Sequence, residues 1–326
     1  MMETARLTKA AATTRTGEES GPRLVGDPRT AAELDAIMAS TVDPLNRWYR
    51  YPVARAMLPV FGRLPITPNH VTYAHIVAGL TASALVAFVH STTALIVAFV
   101  LCEIRMILDC FDGVLARAQG TSSPFGRALD EIADSIAFIT LVIAMNVRMG
   151  FTTRGSVVIC LTLGFGGLCA NAWDFYKRLI TTALRDDKDG VLEELRQKRA
   201  VDESGKGTFL AYWGVYFDSF QVWLYDVRPA DLDVVRVIRT RAATKDPALK
   251  RFASLQSLLS FDNGLVILHF GVLGACFLQS ELFALGWAVF FWTATMFFAR
   301  RVLRTTPSGT TKRSIPESPQ QREPAR

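Results

Sequence analysis

The sequence has few cysteines and histidines, and it lacks several familiar catalytic patterns. Its five cysteines show neither the spacing of a zinc site nor the framework of a disulfide-bonded domain. It contains no phosphate-binding P-loop, no dinucleotide fingerprint and no nucleophile–base arrangement. Four histidines are scattered along the chain, and we interpret His70 and His75 as structural. Residues 1–40 lack the apolar core of a signal peptide and are predicted to be a disordered tail.

Charged residues are sparse, and the apolar residues are grouped. Half of the chain is hydrophobic and 20% is charged. The apolar residues form blocks of roughly 20 residues, the length that crosses a bilayer as a helix. The fold class is therefore predicted to be all-α, an integral membrane bundle of six transmembrane helices with an N-terminal interfacial helix. The six blocks lie at about 71–90, 93–117, 127–147, 155–176, 259–279 and 281–300.

Basic residues are concentrated on one side of these blocks. They precede the first block, lie between the second and third and between the fourth and fifth, and follow the last. The opposite loops, 90–92, 148–154 and 279–280, are short, and only the second contains arginines. The positive-inside rule then places both termini in the cytoplasm of a multi-pass inner-membrane protein. The net charge of +6 fits adhesion to anionic lipids better than binding to nucleic acid.

The chain is predicted to consist of six segments. Asp43-Pro44 and Thr67-Pro68 both look like helix starts. Aromatic residues recur every three or four positions over 209–223, which indicates an interfacial helix or, alternatively, a lid over a substrate site. The segments are a disordered tail at 1–40, an interfacial amphipathic segment at 41–66, transmembrane helices one to four at 67–182, a cytoplasmic helical insertion at 183–257, transmembrane helices five and six at 258–304, and a disordered tail at 305–326.

Residues 109–134 carry the most informative pattern, D-x2-D-G-x2-A-R-x8-G-x3-D-x3-D. Asp109 and Asp112 are three residues apart and share a helix face, and Asp130 and Asp134 are four apart and share another. Residues 118–125 between the pairs are typical of a turn. We therefore expect two helices that meet at a short loop and direct their carboxylates toward each other.

Four carboxylates in an apolar setting repel one another, and a hard divalent cation relieves that repulsion. Magnesium or manganese suits carboxylate oxygens, and magnesium sites in proteins commonly include substrate phosphates. Gly113 and Gly126 allow a bulky ligand to approach the backbone, and Arg117 offers a forked donor to a diphosphate. The motif therefore predicts a site for a metal ion and a phosphate-bearing substrate.

The pattern resembles the signature of the CDP-alcohol phosphotransferase family, with every fixed position filled. The run Thr67-Pro68-Asn69-His70-Val71-Thr72 resembles the start of the first transmembrane helix in that family. The resemblance implies a phospholipid-biosynthetic transferase that cleaves the diphosphate of a CDP-linked alcohol. Such an enzyme would release CMP and form a new phosphodiester at the cytoplasmic face of the membrane.

The resemblance also implies roles for individual residues. Two ions, Mg²⁺ or Mn²⁺, would be held by Asp109, Asp112, Asp130 and Asp134, and Asp134 would also be the catalytic general base. The CDP group would be bordered by Gly113, Ala116, Arg117 and Gly126. Asn69, Lys177 and Arg178 are further candidates for substrate binding at the ends of their helices.

Partners and alternatives follow from the same resemblance. The partners are a CDP-linked lipid donor such as CDP-diacylglycerol, a small polar alcohol acceptor and membrane lipids, with no nucleic acid. Inositol phosphate, glycerol phosphate, serine and inositol are all open as acceptors. A homodimer is also open as the oligomeric state. One alternative is a CDP-amino-alcohol phosphotransferase that acts on a lipid acceptor. Another is a catalytically silent membrane scaffold of the same fold.

Overall fold

A computed structural model of the chain describes residues 28–121, 124–203, 209–227 and 232–305. Within these ranges every regular element is a helix, which confirms the predicted all-α class. A π-helical segment, Asn46–Arg50, leads into the second α-helix. The predicted tails lie outside the described residues at 1–27 and 306–326. The α-helices are α1 (Pro28–Ser40), α2 (Tyr51–Phe61), α3 (Pro68–Phe88), α4 (Thr92–Gln119), α5 (Pro124–Arg148), α6 (Thr153–Arg185), α7 (Gly190–Glu203), α8 (Phe209–Tyr225), α9 (Val234–Ala243), α10 (Pro247–Ser257), α11 (Phe261–Leu273) and α12 (Phe277–Arg304).

Three of the described helices, α3, α6 and α12, are long and apolar enough to cross a membrane. Helices α4 and α5 have 28 and 25 residues, but they carry the charges of the acidic motif. Helix α11 is apolar but has only 13 residues. At 1.5 Å per residue it is about 20 Å long, shorter than the roughly 30 Å core of a bilayer. The helices support a membrane protein, and the count of six spans stays a prediction.

The predicted loop between spans five and six is wrong. Residues 279–280 were expected to form it, but they lie inside α12, and the turn is at 274–276. Ala275 has a φ of 53°, so the chain reverses there without a glycine at the left-handed position. Ser280 looked like a loop residue because it is polar, yet its hydroxyl donates to Phe277 O of its own helix at 2.8 Å. A Cβ atom at Gly271 would overlap Ser280, so this glycine permits the close approach of α11 and α12.

The N-terminal tail is shorter than predicted, because residues 28–40 form α1. Ile37 is buried in a cluster with side chains of α6 and α10. The few apolar residues of this helix gave no strong sequence signal, and their burial depends on distant partners. The predicted helix start at Asp43 is confirmed, since Asp43 Oδ1 accepts a hydrogen bond from Asn46 N at 3.0 Å. Burial raises the pKa of the Asp43 carboxyl to about 6.

The helices form two large apolar clusters. One joins α3, α4, α5 and α11 through residues such as Val86, Leu141 and Leu268. The other joins α6 and α12 with helices of the insertion, including α10, and Tyr176 of α6 donates a hydrogen bond to Tyr225 O of α8 at 3.0 Å. The insertion at 183–257 is helical, as predicted, and packs on α6. The acidic motif lies on the first of these two groups of helices.

A buried polar network fixes the π-helical segment against α4 and α11. Arg50 is 1% exposed and lies 3.7 Å from both Glu103 and Asp262. Asn46 also donates a hydrogen bond to Asp262, and His269 Nδ1 lies 3.0 Å from Glu103 Oε1. Burying these charges is tolerable because each one is paired. The network therefore ties the segment before α2 to the two helices that flank the acidic motif.

Candidate metal centre

The acidic motif lies where α4 and α5 meet beside α3. Helix α4 ends at Gln119, and the next residue, Gly120, has a left-handed φ of 65°, which suits a glycine after a helix C-terminus. The amide of Thr121 donates to Ala116 O at 3.0 Å and completes this end of the helix. Helix α5 begins at Pro124. Because α3 packs along both helices, the carboxylates near their adjoining ends also lie next to α3.

The four aspartates converge on one imidazole. Single oxygens of Asp112 and Asp130 and a ring nitrogen of His75 lie within 4.8 Å of one another. The corresponding atoms of Asp109, Asp134 and His75 form a second group within the same limit. The structure therefore brings together all four carboxylates of the motif, two from α4 and two from α5. These are the only such groups among the described residues.

One neutral side chain and one basic side chain hold two carboxylates of this cluster in place. Thr72 Oγ1 of α3 donates a hydrogen bond of 2.6 Å to Asp112 Oδ2. Arg105 of α4, which is 2% exposed, forms an ion pair with Asp134. The Arg105 guanidinium offsets part of the negative charge, but one cation does not neutralise four carboxylates. The cluster has an excess of negative charge in a largely buried setting.

His75 is completely buried on α3, and neither of its ring nitrogens has a hydrogen-bond partner among the described residues. Its Nδ1 lies 3.9 Å from Asp109 Oδ1, and that oxygen is also buried without a hydrogen-bond partner. Buried polar atoms normally have partners. The site thus contains ligand-type atoms on both residues that no described protein group satisfies.

The residues expected to border CDP lie on the same end of α4 and at the start of α5. The guanidinium of Arg117 lies over Gly113, because a Cβ atom there would be 3.4 Å from Arg117 Nη1. Ala116 is half-buried next to the exposed Arg117. Gly126 is half-buried in the first turn of α5. The forked donor of Arg117 is suited to a diphosphate.

Asn69 lies in the first turn of α3, one turn before Thr72 on the same face. The helix begins with a capping box in which Thr67 Oγ1 accepts from His70 N at 3.4 Å and His70 Nδ1 accepts from Thr67 N at 3.3 Å. Asn69 is half-buried and takes no part in this box. Its side chain is therefore not needed for capping.

Lys177 and Arg178 of α6 have different surroundings. Arg178 pairs with Asp174 of its own helix at 2.8 Å and with two residues of the insertion, Glu194 of α7 at 2.9 Å and Gln221 of α8 at 2.6 Å. The Nζ of Lys177 lies 4.1 Å from the ring centre of Trp173. The charge of Lys177 is also close enough to interact with those of Asp174, Asp262 and Arg117. Lys177 therefore lies within electrostatic range of Arg117 in the acidic motif.

Four residues near the cluster were missed by sequence reasoning as site residues: Thr72, His75, Arg105 and Asp262. Asp262 of α11 lies near enough to interact with the charges of Asp109 and Asp134. Thr72 and His75 are three residues apart on the largely apolar α3, so their shared face was a usable signal. Asp262 is 128 residues beyond the last aspartate of the motif, and no local pattern relates the two.

The family is identified over the segment that carries this geometry. Residues 65–182 match the CDP-alcohol phosphatidyltransferase family. The predicted family is thereby confirmed over α3 to α5 and most of α6, which hold the four aspartates, Thr72, His75, Arg105 and Lys177. No curated protein gives a significant match to the chain. Phosphatidyl transfer from a CDP-alcohol is the reaction of this family.

The residues present fit the divalent metal ions that this family uses. The donor set is four carboxylates with an adjacent imidazole, and hard cations prefer oxygen ligands. The unpartnered buried atoms of Asp109 and His75 also point to a ligand that is not a protein group. Asp109, Asp112, Asp130 and Asp134 are therefore the residues that would hold the ions.

We expect the hydroxyl of Thr72 to orient Asp112 for metal binding. Replacing Thr72 with valine keeps the shape of the side chain but removes the 2.6 Å hydrogen bond. Loss of such an outer partner typically weakens metal binding by about 10–100-fold. Thr72→Ser should restore most of the affinity. Titration of the purified protein with Mn²⁺, followed by the loss of the free-ion EPR signal, measures this. Equal affinity in wild type and Thr72→Val would contradict the assigned role.

Proposed function

We propose that this protein is a membrane-bound phosphatidyltransferase that uses CDP-diacylglycerol or a similar CDP-linked lipid as donor and a small hydroxyl compound as acceptor. The observation that carries the proposal is the convergence of all four signature aspartates on one buried point beside Arg117 and Gly113. A silent scaffold would not need four mutually repelling carboxylates at that point, since their burial is unfavourable. The match to the family over this same segment gives independent support.

The proposed reaction is a transfer between two oxygen nucleophiles. The acceptor hydroxyl oxygen bonds to the phosphorus that carries the lipid alcohol, and the bridging bond from that phosphorus to CMP breaks. Asp134 takes the proton of the hydroxyl, and Arg105 holds one of its oxygens in place. Arg117 binds the diphosphate oxygens above Gly113. Bound divalent ions supply Lewis-acid stabilisation of the diphosphate charge.

Release of CMP is the direct readout of the proposed reaction. The purified protein should release CMP from CDP-diacylglycerol when Mg²⁺ or Mn²⁺ and an acceptor are present, and chelation should stop it. Asp109→Ala, Asp112→Ala and Asp130→Ala should each abolish release, because each removes a carboxylate from the cluster. Asp134→Asn should lower turnover by about 10²–10⁴-fold, the usual effect of removing a general base.

Asp186→Asn is the matched control for these variants. Asp186 is an exposed aspartate beyond the end of α6 that pairs only with its neighbour Arg185 in the described part of the chain. It should retain full activity. A substrate panel that includes soluble CDP-amino alcohols with diacylglycerol distinguishes the proposed reaction from the alternative in which the CDP donor is soluble and the acceptor is a lipid. Absence of metal-dependent CMP release from every donor, in folded protein, would overturn the proposal.

We further propose that Lys177, rather than Arg178, contacts a charged acceptor. Arg178 already has acidic or amide partners on α6, α7 and α8, and its guanidinium is committed to them. Lys177 has no salt bridge among the described residues, lies over the Trp173 ring, and is close enough to Asp174, Asp262 and Arg117 for their charges to interact. A phosphorylated acceptor needs a fixed cation that the aspartates cannot supply. This supports an acceptor that carries a phosphate.

Replacing Lys177 with alanine should raise the Michaelis constant for a phosphorylated acceptor by about 10-fold or more, the value of one charge-assisted hydrogen bond. The constant for the CDP-lipid should hardly change. Arg178→Ala should instead lower thermal stability, because it breaks the contacts between α6, α7 and α8. If Lys177→Ala leaves the acceptor constant unchanged, the acceptor contact is wrong and an uncharged acceptor is favoured.

We propose that the cluster faces the cytoplasm. The ends of α4 and α6 and the start of α5 lie on the side that is rich in basic residues, as the positive-inside rule requires. The connections α3–α4, α5–α6 and α11–α12 are short and would lie outside. On this topology α2 and the π-helical segment, whose Trp48 and Val60 are exposed, would lie in the membrane interface.

The orientation can be tested with a membrane-impermeant maleimide on sealed cells. Native Cys276 is exposed in the α11–α12 connection and should be labelled from outside. A cysteine introduced as Lys188→Cys, in the exposed α6–α7 connection of a variant in which Cys276 is replaced by alanine, should be labelled only after permeabilisation. Cys160, which is also exposed, is replaced by alanine in both cases. The reverse pattern of labelling would contradict the topology.

A further inference from the structure

His75 is a polar residue that no role described so far explains. Its side chain is completely buried on α3, and both ring nitrogens lack a hydrogen-bond partner among the described residues. Burial of an unsatisfied polar group is unfavourable. An apolar residue would fill the same space at lower cost, unless the imidazole binds something.

The position of the ring identifies the kind of ligand. His75 is the one residue shared by both acidic groups, with Asp112 and Asp130 in the first and Asp109 and Asp134 in the second. The Nδ1 to Asp109 Oδ1 distance of 3.9 Å is too long for a hydrogen bond. Two ligand atoms bound to one small cation at about 2.1 Å each can lie up to about 4.2 Å apart. The spacing therefore fits a cation held between the nitrogen and the oxygen.

We propose that His75 is a nitrogen ligand to a divalent ion of the carboxylate cluster. The inference rests on the proposed function, to which it adds the composition of the metal site. Magnesium prefers oxygen ligands, whereas imidazole favours first-row transition metals. The mixed ligand set therefore favours Mn²⁺ over Mg²⁺ at this position.

The direct test is pulsed EPR of the full-length wild-type protein loaded with Mn²⁺ in detergent. A histidine nitrogen bound to Mn²⁺ produces a ¹⁴N modulation of the electron spin echo. Labelling the protein with ¹⁵N-histidine should convert this modulation to the ¹⁵N frequencies. The chain contains four histidines, and the wild-type measurement shows whether any of them is a ligand without relying on a variant that could misfold.

His75→Gln should remove the modulation, and His90→Gln should keep it. His90 is exposed between α3 and α4 and serves as the matched control. The Mn²⁺ dissociation constant should rise by about 10-fold or more in His75→Gln, and the Mg²⁺ constant, measured by competition, should rise less. This ratio is a second readout that does not depend on turnover.

Three results would overturn the inference. Bound Mn²⁺ without histidine nitrogen coupling would show that His75 is only near the ions, for example as an ion-pair partner of Asp109. Coupling that persists in His75→Gln would assign the ligand to another histidine. In both cases metal-dependent CMP release would leave the proposed function intact. Failure of the wild type to bind Mn²⁺ and to release CMP would reject both proposals together.

Discussion

Electrostatic repulsion among four carboxylates is the constraint on which the centre of this structure depends. Their oxygens lie within 4.8 Å of a shared imidazole in two groups, at the junction of α4 and α5. Charges so close in a medium of low polarity destabilise the fold unless cations offset them. Arg105 and Thr72 stabilise two of the four carboxylates. The remaining charge is the physical reason to infer bound divalent ions.

Residues outside the segment 65–182 that matches the family also help to hold this cluster in place. Arg50 bridges Glu103 of α4 and Asp262 of α11, so the segment before α2 is fixed to the helices around the motif. Asp262 also adds negative charge near Asp109, which makes the pairing with Arg50 more important. On the other side Arg178 anchors α7 and α8 to α6. The insertion is thus attached to the helix that carries Lys177.

Local patterns in the sequence were sufficient for some features and not for others. The long apolar blocks predicted α3 to α5 closely and α6 as far as residue 176, and the spacing of Asp109, Asp112, Asp130 and Asp134 predicted which carboxylates share a helix face. The turn between α11 and α12 was misplaced because Ser280 is polar but satisfied within its helix.

Features that depend on tertiary contacts were not predictable in this way. Helix α1 is buried through Ile37 against α6 and α10, which are more than 110 residues away in sequence. Asp262 reaches the acidic cluster only because α11 packs against α4. His75 was interpreted as structural, and its significance became visible only when its burial and missing partners were known.

Anomalous diffraction from crystals of the full chain grown with Mn²⁺ would show whether the four aspartates hold divalent ions. We expect anomalous peaks between the side chains of Asp109, Asp112, Asp130 and Asp134, beside His75. Occupied Mn²⁺ sites elsewhere, with none between these carboxylates in protein that releases CMP, would contradict this expectation.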